Sequence, residues 1–339
     1  MHLSLKSNNP ILAPLSWLYG IGLYIRHKLY DDHLLPTHTV SVPTICVGNL
    51  AVGGTGKTPH VEYLVAMLEG RYKVAVLSRG YGRKTHGFLM ADDKSTAATI
   101  GDEPMQIHRR FPEVTVAVCE SRIRGIRQLQ RMVPGLQVVI LDDAFQHRSL
   151  KCGLNILLTT ADNLFVNDHL LPWGRLRDLK QRSLAAQAVI VTKCPEKMKP
   201  IDKRVIDTTL HLPAFQHLYF SRMRYEALPE AKKPLVISGI ANPQYFFEHI
   251  KATYPKATCV AFADHHRFTP RDEARINELA KTHDVVFTTA KDYERLLMTN
   301  LELPISVIPV RVDLDVDTQA FEKQVVDYIN ETLRKVVGR

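Results

Sequence analysis

Short apolar runs rich in β-branched residues alternate along the chain with helix-length stretches. The first six runs are "TICVGNL" (44–50), "KVAVLSRG" (73–80), "EVTVAVCE" (113–120), "QVVILDD" (137–143), "LNILLTT" (154–160) and "AVIVTKC" (188–194). Continuously apolar strands bounded by turns are buried on both faces. Alternation of such strands with helices predicts a parallel sheet built from right-handed crossovers. The pattern changes near residue 205. "HLYFSRMRYEAL" (217–228) is more polar, carries no helical stretch, and predicts a connecting β segment. A second set of strands then begins with "PLVISGIA" (234–241), "TCVAFAD" (258–264), "VVFTTAK" (285–291) and "ISVIPVRV" (305–312). An amphipathic helix from Gln319 closes the chain. The expected divisions are residues 1–30 (an N-terminal helix), 31–205 (a first α/β domain), 206–230 (a β linker) and 231–339 (a second, smaller α/β domain).

The first helix, "ILAPLSWLYGIGLYIRHKLY" (11–30), is apolar and aromatic before it turns basic. Its uncharged part, residues 11–25, falls short of the ~20 residues that span a bilayer. No small-residue cleavage site follows, so no cleaved signal peptide is expected. Trp17, Tyr19, Tyr24 and Tyr30, with Lys6, Arg26 and Lys28, suit a helix lying among lipid headgroups. A core helix with an aromatic face fits the same residues.

The turn after the first strand carries the clearest chemistry. "AVGGTGKTPH" (51–60) places Gly53, Gly54, Thr55 and Gly56 before Lys57 and Thr58, where a helix opens. This is a P-loop arrangement: glycines let backbone N–H groups turn inward around a phosphate, and the helix N-terminus adds partial positive charge. Lys57 is expected to reach the β- and γ-phosphates of a nucleotide, and Thr58 to offer its hydroxyl to Mg²⁺. Pro59 is tolerated because first-turn N–H groups lack helical partners. Ala51 stands where the usual pattern has its first glycine. "VVILDD" ends an apolar strand in acid, which puts Asp142, or else Asp143, beside the P-loop as a metal ligand. Arg79 and Arg83 in "SRGYGRK" (78–84) are candidate anion binders. Asp102 in "GDEP" (101–104) precedes a helical run, and helix capping accounts for it as well as catalysis does.

Length and composition narrow the field. With 339 residues, 45% hydrophobic and 23% charged, the chain suits about two globular domains with a real core. The net charge of +9 implies an anionic partner. There is no RNP-type aromatic motif, zinc-finger spacing or dense Lys/Arg block, so a phosphorylated substrate or an acidic membrane is expected rather than nucleic acid. Five scattered cysteines, Cys46, Cys119, Cys152, Cys194 and Cys259, read as buried thiols in a reducing compartment.

Together, "VGNLAVGGTGKTP", "SRGYGRK", "GDEP", "LDDAFQHR", "LPWGRLRD", "SGIANPQYFF", "FADHHRF" and "TTAKDYERL" resemble, in order from about residue 11 to 296, the tetraacyldisaccharide 4′-kinases of lipid A biosynthesis. The resemblance implies a P-loop NTPase-type parallel-sheet domain and a smaller α/β domain joined by a β linker. It implies transfer of the γ-phosphoryl group of ATP, with Mg²⁺, to the 4′-hydroxyl of an acylated disaccharide 1-phosphate. The expected location is the cytoplasmic face of the inner membrane, with the first helix meeting that surface. The family's catalytic acid falls on Asp102, and its partner histidine on His265, with His266 as the fallback. An Asp oriented by a His can accept the proton of an attacking sugar hydroxyl. Arg177 in "LPWGRLRD" is implied to contact substrate or phosphate, although Asp178 replaces the family's Glu. Tyr81, Arg122 and Gln146 lie in matching motifs and are further substrate candidates. A P-loop switch or transport ATPase is the alternative, with Gln146 as its water-positioning residue.

Overall fold

The computed structural model describes residues 10–264 and 266–337. Helix α1 (Ala13–Asp31) precedes strand β1 (Thr44–Asn49), which runs through a glycine turn into α2 (Lys57–Leu68). Next come β2 (Val74–Ser78), β3 (Leu89–Met90), the single-turn α3 (Ala97–Ile100) and α4 (Asp102–Arg110). They are followed by β4 (Thr115–Val118), α5 (Arg122–Met132), β5 (Val138–Asp142), β6 (Leu154–Thr160), β7 (Ala188–Thr192), α6 (Pro200–Leu210) and β8 (His217–Phe220). These strands form one eight-stranded sheet in the order β3-β4-β2-β5-β1-β6-β7-β8. Within it, only β3 runs antiparallel to its neighbour.

Both faces of the sheet are covered, which is why its strands read as unbroken apolar runs. Ile45 and Val47 of β1 pack with Val61, Leu64 and Leu68 of α2 on one face. Cys46 packs with Ile126 and Leu129 of α5 on the other. Strand order reverses at β1, between β5 and β6. A crevice at the carboxyl ends of the strands at such a point is the usual ligand site of an open α/β sheet.

A second unit follows β9 (Arg222–Tyr225). It contains β10 (Pro234–Ser238), α7 (Gln244–Thr253), β11 (Thr258–Ala261), α8 (Pro270–Ala280), β12 (Val285–Thr288), α9 (Ala290–Leu296) and β13 (Ile305–Val307). Its four strands are parallel in the order β11-β10-β12-β13. Strand β14 (Val310–Asp313) then pairs antiparallel with β9, and α10 (Thr318–Val337) ends the described chain.

The structure departs from the sequence expectations at several places. The 217–228 segment is split: β8 is the edge strand of the large sheet, and only β9 belongs to the connecting ribbon. The 305–312 run divides likewise between the second sheet and that ribbon. Helix α10 lies outside the second unit: Phe321, Val325 and Ile329 are buried with Ile45 and Val47 against the large sheet. The cysteines are all free, but Cys152 and Cys259 are half-buried rather than buried. Residues 1–9, with Lys6, lie outside the described residues.

Candidate active site

A cavity of about 1360 Å³ opens where the carboxyl ends of the large sheet face the second unit. The P-loop forms its floor. Gly53 and Gly56 adopt φ of +107° and +87°, the left-handed region that glycine enters without strain. A Cβ on Gly56 would lie 2.2 Å from Met223 Cε, the end of a flexible side chain on the ribbon strand β9, so that side chain lies over the loop. His60 pins it there. Its Nδ1 donates to the Gly56 carbonyl (2.7 Å), which leaves Nε2 to accept from the Ser221 hydroxyl (2.9 Å). Burial holds His60 down to about 4, so the ring is neutral and this tautomer persists.

Lys57 begins α2, with its Nζ 3.4 Å from Asn49 Oδ1 and 3.9 Å from Asp143 Oδ2. Asn49, the polar last residue of β1, also donates from Nδ2 to Thr55 Oγ1 at 2.8 Å. Arg177 reaches the same cluster: NH2 donates to Asn49 Oδ1 at 2.6 Å, and the guanidinium forms a two-pronged ion pair with Asp143. Gln146 donates to the Asn49 carbonyl at 2.7 Å. Asn49 is therefore the hub of the site, which the motifs alone did not reveal. Its one signal was a polar residue ending an apolar strand.

The two adjacent carboxylates are set in opposite directions. Asp142 is buried, and that burial, with the nearby negative charges of Glu103 and Asp143, raises it to about 7 against the pull of Lys57 and Arg122. Its Oδ2 accepts from Ser78 Oγ at 3.3 Å, while its Oδ1 is buried without a hydrogen-bond partner. Burial also pushes Asp143 upward, but Lys57 and Arg177 outweigh it and hold Asp143 below the usual carboxylate range. Thr58 sits in the first turn of α2 and lines the same cavity. A hard cation that keeps much of its shell from water and phosphate needs few protein oxygens. An orphaned carboxylate oxygen and a threonine hydroxyl fit that demand, while Asp143 is already committed to Arg177.

Arg79 and Tyr81 line the cavity on the loop after β2. Arg83 lines it as well, but its guanidinium is tied to Glu120 and to the Gly87 carbonyl at 2.7 Å. Arg122 is a correction to the sequence expectation. It is 2% exposed and donates to the carbonyls of Cys119 (2.7 Å) and Asp142 (3.2 Å). It braces the ends of β4 and β5 and does not line the cavity.

Asp102 occupies the first turn of α4, and Gly101 is the N-cap, so capping does not account for it. Its neighbour Glu103 is on the cavity wall, and Asp102 sits one position behind. Asp102 Oδ2 lies 3.6 Å from Arg295 Nε of the second unit. Two further pairs join the units here: Lys291 with Glu103 at 3.4 Å, and Arg109 bidentate to Glu294 at 2.6 and 3.1 Å. His265 lies outside the described residues. His266, its fallback, turns away to Asp272, with Nε2 3.0 Å from Oδ2, and stacks on Phe262.

Helix α1 docks beside this cluster along one narrow stripe. Ser16, Leu23 and His27 are buried, and a Cβ on Gly20 would meet Leu170 Cδ1 at 2.9 Å. Ser16 Oγ donates to the Leu170 carbonyl (2.8 Å), and His27 Nε2 meets the fully buried Asp178 at 2.5 Å. Asp178, next to Arg177, is thus the helix anchor. Away from that stripe α1 exposes the apolar side chains of Leu15, Trp17, Leu18, Ile21, Tyr24 and Ile25. No helix among the described residues is long and apolar enough to cross a membrane.

Comparison with known proteins gives a consistent result. The sequence model of the family described as "Tetraacyldisaccharide-1-P 4'-kinase" matches residues 8–330. A tetraacyldisaccharide 4′-kinase of Bacteroides thetaiotaomicron is 43% identical over 356 residues, covering 95% of this chain and 94% of the relative. The protein of the same name from Flavobacterium johnsoniae is 39% identical over 335 residues, covering 95% of this chain and 98% of the relative. A crystal structure of LpxK from Aquifex aeolicus, an "apo" form in complex with ATP, superposes with a TM-score of 0.71 at 28% identity. The match covers 94% of this chain and 98% of that one.

Proposed function

Because the chain belongs to the tetraacyldisaccharide 4′-kinase family, we propose that the cavity between its units is where ATP and the acceptor lipid meet. The reaction is ATP-dependent phosphorylation of the 4′-hydroxyl of a lipid A disaccharide 1-phosphate. The cofactors are ATP and Mg²⁺.

Gly53, Gly54, Thr55 and Gly56 present backbone N–H groups to the phosphates, and Lys57 supplies a fixed positive charge beside them. Asn49 and Asp143 aim that ammonium group from below. Thr58 and Asp142 would hold Mg²⁺, which would neutralise charge on the nucleotide's phosphates. Arg177 orders Asp143 and Asn49. Arg79 and Tyr81 face the acceptor from the opposite wall. Asp102, paired with His265, takes the proton of the attacking 4′-hydroxyl. The observation that carries this reading is the orphaned Oδ1 of Asp142 in the same cavity as the P-loop lysine.

The exposed apolar face of α1, with Arg26 and Lys28 near its end, seats the protein on the cytoplasmic leaflet of the inner membrane. The lipid substrate then need not leave the bilayer. The stripe joining α1 to Asp178 brings that surface to the edge of the catalytic cluster.

The test is a phosphate-transfer assay with γ-labelled ATP and disaccharide 1-phosphate lipid. Label is expected on the lipid. Hydrolysis at the same rate with and without lipid, and no labelled lipid, would favour a switch ATPase. Asp102→Asn is expected to lower kcat by roughly 10²–10⁴-fold, the usual worth of a general base. Near-parental turnover removes Asp102 from that role.

A further inference from the structure

The proton acceptor proposed above belongs to the first unit, but a cation that faces it comes from the second. We infer that Arg295 is a positioning residue for phosphoryl transfer, holding Asp102 and the backbone carbonyl of His266 in one frame. This rests on the assignment of Asp102 made above.

Arg295 lies in α9 and is 7% exposed. Its guanidinium reaches its own helix and three other parts of the fold. NH2 ion-pairs with Asp292 and donates to the Gly239 carbonyl at 3.2 Å. NH1 donates to the His266 carbonyl at 3.2 Å, on the segment that follows β11. The remaining nitrogen, Nε, is buried without a hydrogen-bond partner and stands 3.6 Å from Asp102 Oδ2. The far edge of the fork is rigidly held. Asp292 is fully buried and also accepts from Gly239 N (2.9 Å) and Thr289 Oγ1 (2.8 Å).

A planar guanidinium fixes the angles between the groups it touches, which a lysine cannot do. The contact with Asp102 is too long for a good hydrogen bond, so Arg295 acts on that carboxylate through charge. Arg295 therefore links the carboxylate of one unit to the His266 carbonyl in the other. Simple adhesion between α4 and α9 is the competing role. The Arg109–Glu294 pair provides that adhesion in the same interface without touching Asp102.

The test is steady-state kinetics on the full chain with ATP and detergent-dispersed disaccharide 1-phosphate lipid, with melting temperature read in parallel. Arg295→Gln is expected to lower kcat by roughly 10²-fold with ATP KM near the parental value, the scale of a misplaced reacting group. Arg295→Lys keeps the charge but loses the fork, and falls between. Glu294→Gln is expected to leave kcat near parental. Asp102→Asn combined with Arg295→Gln is expected to be no slower than Asp102→Asn alone, because the two act as one unit. A folded Arg295→Gln with parental kcat, or losses that multiply in the double variant, overturns the inference while leaving Asp102 in place. Parental kcat in Asp102→Asn overturns the assignment beneath it as well. If Arg295→Gln does not fold, Arg295→Lys decides: parental kcat there refutes the positioning role.

Discussion

Replacing Asp142 by Asn should stabilise the ligand-free protein and disable it. The folded carboxyl is raised to about 7, against 3.8 for the free side chain, chiefly by burial. The folded state therefore holds a proton that the unfolded state releases. Stability contributed by this site is intact below the unfolded value, falls as pH rises between the two values, and is fully lost above about 7. The gap corresponds to about 4 kcal/mol. An amide avoids that cost but inherits an oxygen position without a partner, a penalty of roughly 1–3 kcal/mol. The balance is a gain of about 1–3 kcal/mol at pH 8 that has vanished near pH 4.5, where little of the ionisation cost remains. Calorimetric melting of the parent and Asp142→Asn, in chelator and without nucleotide, at pH 4.5, 6 and 8 measures it. Adding Mg²⁺ and ATP should reverse the order, since a ligand at about 1,000 times its Kd stabilises the parent by roughly 4.1 kcal/mol. A variant that melts below the parent at pH 8, or a difference that does not change with pH, refutes the reasoning.

The membrane face and the P-loop each give a further outcome. Trp17 and Leu18 are 69% and 60% exposed on α1. At ~1.5–3 kcal/mol for each large side chain fully buried, the pair Trp17→Glu and Leu18→Glu should cost ~2–4 kcal/mol of membrane affinity. Co-sedimentation with anionic vesicles should fall accordingly, and unchanged binding would place the membrane contact elsewhere. Gly56→Ala combines a positive φ with a Cβ only 2.2 Å from Met223, whereas Gly53→Ala has a positive φ but open space around it. The Met223 methyl is the end of a flexible side chain that can move aside, so the shared positive φ governs: ATP titration should show both variants weakened to a similar degree, and a parental affinity in either would mean that the left-handed backbone there is not needed to bind phosphate.

Much of the site could be read from local pattern. A strand, a glycine turn and Lys57-Thr58 are contiguous, so their geometry follows from neighbouring residues. Asp142 was legible because a carboxylate closing an apolar strand downstream of a P-loop is placed by the parallel sheet at the same carboxyl edge as Lys57. Long-range partners were not legible. Asn49 gathers Lys57, Arg177 and Thr55 only because β1 ends where three loops converge. Arg122 sat in a matching motif, yet its neighbours turn it inward to two carbonyls. What Asp178 in "LPWGRLRD" does is visible only through its partner His27, which lies 151 positions away. Element types were clear from the apolar runs, but sheet membership was not. Nothing near Ser221 announces that β8 stays with one sheet while β9 leaves it, and the polarity of α10 gives no hint of which sheet it covers.

The position of that last helix has a consequence for how the protein is made. The core of the large sheet contains Phe321, Val325 and Ile329, which leave the ribosome after the entire smaller unit. Ninety-odd residues separate Tyr225 from Thr318, so at bacterial elongation rates the nascent first layer waits about 5–20 s with that flank bare. A nascent chain halted before α10 would present Ile45, Val47 and their neighbours to chaperones, and emergence of that helix, rather than synthesis of the nucleotide loop, would be the moment at which the large sheet is fully covered.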